Sequence, residues 1–333
     1  MAGNPFHREA YAALGAGLHR GVQWGVTAPL AKLKRRPPAS PADIADVLAG
    51  ADAIRLPDPG GNGLKGLSLG RIGNLEVRLA TRRSEIRRAQ RLRFKVFYEE
   101  MSAVPTGLAA LSRRDADAYD SLCDHLLVLD HGAMKPAKTP FRAPKPKVVG
   151  TYRLLRGEVA ERHHGFYSES EYDLAPVLAA QGGRRLLELG RSCVLKPYRG
   201  KRTVELLWQG IYAYVLHHRI DALIGCASLE GTDPDHLALP LSFLHHHARA
   251  PEAWRACALP ERAVRMDRLS KEAVDPKAAL QALPPLIKGY LRLGATFGEG
   301  AVIDRQFGTT DVFVTLPVEV IGARYRGHFA PAG

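Results

Sequence analysis

The 333-residue chain lacks the marks of several large protein classes. No apolar run approaches the roughly 20 residues needed to cross a bilayer. The opening stretch, MAGNPFHREA, has none of the basic-then-apolar pattern of a secretory signal. Cysteine is scarce: the four, at Cys123, Cys193, Cys226 and Cys257, show no CxxC spacing and mostly sit in apolar runs. That excludes a disulfide scaffold and fits buried thiols of a reducing compartment, so the expected location is cytoplasmic. The histidine groups, His163 with His164, His217 with His218, and His245 to His247, make no zinc-type constellation with any cysteine. No metal is expected. Helix-turn-helix, zinc-finger and RNP signatures are also missing, and the basic residues are not interleaved with aromatics, so nucleic acid is not an expected partner.

What the chain does have is cationic charge, with 47 Lys and Arg against 34 Asp and Glu. Such a surface favours an acidic partner. Residues 1–70 differ from the rest. There Leu14, Leu18, Val22, Trp24, Val26, Leu30 and Leu33 mix with Lys32, Lys34, Arg35 and Arg36, as in a basic amphipathic helical extension suited to an anionic membrane surface. Its glycines and Pro29 weaken any helix, so a loosely packed extension is the plainer alternative. LPDPGGNGLKG, from Leu56 to Gly66, serves as a linker.

From residue 71 onwards strands alternate with helices, which predicts an α/β (α+β) domain around a mixed central sheet flanked by helices. NLEVRLA, HLLVLD, KVVGTYRLL, RLLELGRSCVL and ALIGCASLE are strands, with AVIDRQF and DVFVTL in the tail. SEIRRAQRLRFKVFYEEM is a helix with Ser84 as N-cap, and KRTVELLWQGIYAYVLHHR is a second, with Val204, Leu207, Trp208, Ile211 and Val215 as its apolar stripe. PKAALQALPPLIKGYLRLGA is a third. GAMKPAKTPFRAPKPK, from Gly132 to Lys147, is a basic hairpin insertion.

Charged residues fall where apolar ones are expected. At 100° per residue from Ile86, the helix turns Ala89, Val96, Phe97 and Met101 to one side, and Arg93 and Glu100 fall near the same side. A buried charge needs a partner or a task, so these form either a structural ion pair or a site. Asp115, Asp117, Asp120 and Asp124 crowd ahead of a strand without the spacing of a calcium loop. They either cap turns or hold a cationic substrate. Glu188 and Arg191 interrupt the apolar strand RLLELGRSCVL, and Arg199, Lys201 and Arg202 follow it.

VVGTYRLL, ELGRSCVLKPYRGKR, TVELLWQGIYAYV and LIGCASLEGTDP follow one another as in the GCN5-related N-acetyltransferase (GNAT) superfamily. With the tail LPPLIKGYLRLGATFGEGAVIDRQFGTTDVFVTLP, the chain resembles the ornithine-lipid branch, the L-ornithine Nα-acyltransferases that use acyl carrier protein. The resemblance runs from about Leu75 to Phe329, and a more distant one exists to acyl-homoserine-lactone synthases. It implies a GNAT-like acyltransferase domain over residues 71–333. It also implies transfer of a 3-hydroxyacyl group to the α-amine of L-ornithine, with the acyl-phosphopantetheine of the carrier protein as co-substrate and no other cofactor. The residues at the family's positions are Arg93, Val96, Phe97, Asp117, Asp120, Arg153, Glu188 and Arg191.

Within that scheme Glu188, in an apolar strand, is the expected base. Arg191 and Arg153 orient it or bind the substrate carboxylate. Arg93, Phe97 and Glu100 line the substrate site, and Asp117 and Asp120 hold the distal ammonium of ornithine. Backbone N–H groups of the Glu188 strand, where it splays from ALIGCASLE, meet the oxyanion. Acylation of Cys193 is the rival scheme, although no histidine is expected beside it. One departure bears on the donor. Coenzyme A-binding members carry R-x-x-G-x-G/A, whereas Arg202 and Val204 fill the two later glycine positions here. That disfavours a pyrophosphate and makes Arg199, Lys201 and Arg202 a landing surface for an acidic carrier protein. The alternatives are the same chemistry on lysine, glutamine or glycine, a homoserine-lactone-type synthase, and a non-catalytic membrane-binding or lytic protein. The last has no need of inward charges.

Overall fold

The computed structural model describes residues 63–101, 103–135 and 144–321. The expected membrane-facing extension therefore lies mostly outside the described residues, as does the tip of the basic hairpin. Among the described residues eleven strands form one mixed sheet. In chain order they are β1 (Gly70–Ile72), β2 (Leu75–Leu79), β3 (Asp124–Lys135), β4 (Lys145–Arg156), β5 (Tyr172–Asp173), β6 (Leu186–Val194), β7 (Ala222–Glu230), β8 (Cys257–Ala258), β9 (Ala263–Val264), β10 (Thr296–Asp304) and β11 (Thr309–Pro317). Their spatial order is β1-β2-β3-β4-β6-β7-β11-β10-β8-β5, with β9 beside β10. The longer helices are α1 (Arg83–Phe94), α2 (Lys201–His218), α3 (Ala238–His247) and α4 (Pro285–Leu293). The expected mixed α/β architecture is present, and none of the helices is long and apolar enough to cross a membrane among the described residues.

The sheet is covered on both faces, as side-chain alternation requires. Leu154, Leu187, Leu189 and Leu223 point into the main core, while Leu155, Leu186, Ile224 and Phe313 point into a second core opposite. Helix α2 lies close on β2 and β3, because Gly210 leaves room there. A Cβ at that position would stand 2.8 Å from Val77 Cγ2 and 2.9 Å from Leu126 Cδ1. Leu64 and Leu69 are buried in the main core, so the packed domain takes in the last residues of the expected linker. The tail helix is two, broken by Pro284, which cannot continue the first.

The helix expected from Ser84 to Met101 is α1 followed by a π-helical stretch, Lys95–Glu100. The Met101 N–H donates to Val96 O, an i to i+5 bond. That stretch turns by less than 100° per residue, so the face assignment drifts after Phe94. Met101 is 46% exposed instead of buried. Ser84 is not the N-cap; the cap is Arg82, and the Glu85 carboxylate accepts from the Thr81 N–H. In α2, Val204 departs from the expected stripe and is 45% exposed, whereas Leu206 and Tyr214 are fully buried.

Candidate functional site

Strand β6 runs parallel to β7 for only three rungs, the last pairing Glu188 with Ile224. Beyond it β7 pairs with β11 as far as Glu230, and the two parallel strands part. Gly225 sits where they separate. Its φ is +148°, and a Cβ there would lie 2.5 Å from the Leu189 carbonyl oxygen. Gly225→Ala is expected to cost about 1–3 kcal/mol through backbone strain alone, with the collision added, and chemical denaturation measures it. The small pocket in the fork is lined by Leu189, Leu223, Ile224, Gly225, Cys226, Tyr290 and Val314.

Glu188 stands at the foot of this fork and is 4% exposed. The Tyr167 N–H donates to Oε2 at 2.7 Å; the Ser168 N–H and hydroxyl donate to Oε1 at 2.8 and 2.5 Å. Burial raises its pKa above the ordinary carboxylate value against the pull of these donors. The donors belong to a one-turn 3₁₀ helix, Tyr167–Ser170, so the carboxylate also anchors that turn. The same turn sends the Tyr167 hydroxyl to Arg191, whose Nη2 donates to it at 2.9 Å.

Arg191 lies in a bulge. Thr151 pairs with Cys193 and Arg153 with Gly190, so Arg191 and Ser192 share the space opposite Tyr152. Its φ is +51°, in the left-handed region that a side chain ordinarily avoids. A strained residue held in place by its surroundings is a mark of a functional position. The guanidinium stacks over the Tyr167 and Phe307 rings at 5.0 and 4.8 Å.

Three arginines and three aspartates meet here. Arg93, fully buried, donates to Asp115 Oδ2 at 2.7 Å, to the Asp115 carbonyl at 2.5 Å and to Asp120 Oδ2 at 2.8 Å. Arg153, 3% exposed, donates to both Asp117 oxygens at 2.6 and 2.7 Å. Arg191 reaches Asp115 and Asp117 only at 3.5 Å, and its Nε has no hydrogen-bond partner among the described residues. Asp120 also accepts from Gln90 and completes a capping box with Asp117. Arg93 and Asp120, expected to meet substrate, are paired with each other inside the protein, Arg93 also with Asp115, while Arg93 Nη1 and Asp120 Oδ1 have no hydrogen-bond partner among the described residues. Asp117, 26% exposed in its side chain, borders the site but serves Arg153. Of the three guanidiniums, Arg191 is held least tightly by the aspartates.

Phe97 packs edge-on against Phe307, which lies beneath Arg191. Glu100 does not face inward. It is exposed and pairs with Arg199 at 2.5 Å, because the π-helical stretch carries it to the surface. Lys201 pairs with Glu205 at 3.5 Å, and Arg202 is exposed beside it at the start of α2. These cations share one surface at the end of β6. Cys193 is buried, and burial raises its thiol pKa far above the ordinary value, which suppresses the thiolate a nucleophile needs.

Sequence reasoning missed Tyr167, Ser168 and Tyr98, whose hydroxyl donates to Asp115 Oδ1 at 3.1 Å. They lie in a short turn and a π-helical stretch, which carry no periodic signal. Across the fork, Glu171, Asp304 and Asp311 lie close enough for their oxygens to surround one cation. Asp311 was legible on the same grounds as Glu188, as a carboxylate within an apolar strand.

A family profile described as the acetyltransferase (GNAT) domain matches residues 92–209, from the end of α1 through β6 to the first half of α2. The L-ornithine N(alpha)-acyltransferase of Brucella abortus is 54% identical over 261 residues, 78% of this chain and 90% of that protein. Its namesake from Agrobacterium fabrum is 54% identical over 260 residues, covering 78% and 86%. Among solved structures, an N-acyl amino acid synthase from uncultured soil microbes aligns over 75% of this chain and 94% of its own, at 13% identity and a TM-score of 0.39. By the extent and level of the first two identities, the chain belongs to the L-ornithine N(alpha)-acyltransferase family and carries its GNAT domain.

Proposed function

We propose that the protein moves a 3-hydroxyacyl group from acyl carrier protein to the α-amine of L-ornithine, giving a lyso-ornithine lipid. The observation that carries this reading is the buried Glu188 carboxylate at the foot of the fork, linked through Tyr167 to the loosely paired Arg191 guanidinium, in a chain of this family. The thioester lies in the fork, where β6 from Leu189 onwards is no longer paired with β7 and offers backbone groups to the developing oxyanion. The neutral α-nitrogen attacks the thioester carbon. Its proton passes to Glu188 by way of the Ser168 hydroxyl, the C–N bond forms, the C–S bond breaks and the carrier thiolate leaves to be protonated. Arg191, held only loosely by Asp115 and Asp117 at 3.5 Å, takes the substrate carboxylate. The Tyr167 phenol, whose pKa burial raises, stays protonated beside it.

The donor is proposed to be carrier-bound, because the R-x-x-G-x-G/A glycines that suit a pyrophosphate are filled by Arg202 and Val204. Arg199, Lys201 and Arg202 then face the acidic carrier surface, and the basic N-terminal extension ahead of the packed domain faces an anionic membrane surface where the amphiphilic product accumulates. Purified protein with L-ornithine and 3-hydroxyacyl carrier protein is expected to release free thiol, and equal turnover with the acyl-coenzyme A would overturn the donor assignment. Arg202→Glu is expected to raise KM for the carrier protein by about tenfold and to flatten its salt dependence. KM for ornithine should stay unchanged in the same assay.

A further inference from the structure

The two arms of the fork carry opposite charge. Arg191 belongs to the β6 arm, while Asp304 and Asp311 stand on β10 and β11 at the far side. Glu171 follows the turn that holds Glu188, its N–H donating to Ser168 O at 3.0 Å. The three carboxylates place one oxygen each within 4.8 Å of one another. Cys226 connects them to the catalytic turn, its Sγ lying 3.5 Å from Ser168 Oγ.

Close carboxylates alone would be ordinary. What singles these out is a buried acceptor without a partner. Asp311 is 8% exposed, and its Oδ1 has no hydrogen-bond partner among the described residues. The Thr309 and Ser228 hydroxyls reach the Asp311 carboxyl, and neither brings it a positive charge. Arg262 reaches Glu171 only at 3.5 Å, and one Asp304 oxygen caps the turn at Gln306 and Phe307. The carboxylates therefore face one another with too little positive charge from the protein. Phe307 joins the arms: its ring lies under Arg191, and its N–H donates to Asp304 Oδ1 at 3.0 Å.

We infer that Glu171, Asp304 and Asp311 form the site for the side-chain ammonium of a diamino-acid acceptor, while Arg191 holds its carboxylate across the fork. A primary ammonium has three N–H donors to offer three carboxylates. This gives the distal ammonium a site separate from Asp117 and Asp120, which already pair with Arg153 and Arg93. The inference rests on the proposed amino-acid N-acyltransfer and specifies which acceptors it admits.

The test compares L-ornithine with L-norvaline, which has the same carbon chain without the terminal ammonium. Asp311→Asn, Glu171→Gln and the more accessible Asp304→Asn are each expected to raise KM for ornithine by about 10- to 100-fold, the loss of one charge-assisted hydrogen bond. The fall in kcat should be far smaller, and the preference for ornithine over norvaline should shrink by a similar factor. Without substrate, the first two variants should melt no lower than the parent protein, because each removes a like charge from a crowded buried group. Unchanged KM and preference in the folded variants would overturn the inference. So would chelator-sensitive activity that magnesium restores in the parent protein and not in the variants, which would make this a metal site. If the parent protein acylates no amino acid, the failure lies with the proposed reaction. Thermal shift then still decides the site: ornithine must stabilise the parent protein more than norvaline does, and the variants must lose that difference.

Discussion

Glu188→Gln is expected to lower kcat by about 10²- to 10⁴-fold, the usual contribution of a positioned general base. The substitution keeps size and shape but removes the proton acceptor. It also sets an amide NH₂ where one of three donors, the Tyr167 N–H and the Ser168 N–H and hydroxyl, now meets a carboxylate oxygen. KM for ornithine should move little, because Arg191 and the acidic group supply the binding. The pH profile separates a base from a structural carboxylate. Burial raises the Glu188 pKa in the folded protein, and the reactive form is ionised. The kcat/KM profile should therefore rise with pH through that raised value, and Glu188→Gln should lose this limb. Stability runs the other way: for a carboxyl with a raised folded pKa, the contribution is fully present below the unfolded value and is lost as pH climbs through the folded one. A variant with near-normal kcat, or with the limb intact, would leave Glu188 only its part in anchoring the Tyr167–Ser170 turn.

Arg93→Met is expected to be the most destabilising single change near the site. It strands Asp115 and Asp120, each 5% exposed, without the guanidinium that binds both. Breaking a buried pair from one side costs about 3–5 kcal/mol, a large part of the 5–15 kcal/mol typical of a whole domain. For a domain of this size each kcal/mol lowers the melting temperature by roughly 2–4 °C, so a fall of about 6–20 °C is expected. Protein that remains folded should keep KM for ornithine within about threefold, because Arg93 is fully buried and its guanidinium is engaged by Asp115 and Asp120. Unchanged melting with a large rise in KM would restore Arg93 to the substrate site, where the sequence pattern had placed it.

The pairing of Arg93 shows where sequence reasoning reaches its end. The apolar strand interrupted by Glu188 and Arg191 was legible, since few chains bury such groups without a use for them, and so was the fork beside it. The inward charges of the first helix and the following aspartates were legible as charges but not as partners. Pairing of Arg93 with Asp115, and of Arg153 with Asp117, depends on how α1 and β4 pack around the segment before β3, which brings together residues 22 and 36 positions apart. Glu100 and Met101 were misplaced for a local reason: the π-helical stretch from Lys95 breaks the angular count that a regular helix permits. The acidic group across the fork draws on a turn and two strands separated by more than a hundred residues. Only Asp311, in an otherwise apolar strand, carried a signal that could be read before the fold.

The central claim, acyl transfer to an α-amine at the Glu188 fork, is tested most directly by tandem mass spectrometry of the reaction product. Purified protein is given 3-hydroxyacyl carrier protein and L-ornithine labelled with nitrogen-15 at the α-position only. The account predicts an amide whose nitrogen carries the label, formed by the parent protein and reduced about 10²-fold or more by Glu188→Gln. An amide on the unlabelled distal nitrogen, or no amide from the parent protein, would contradict it.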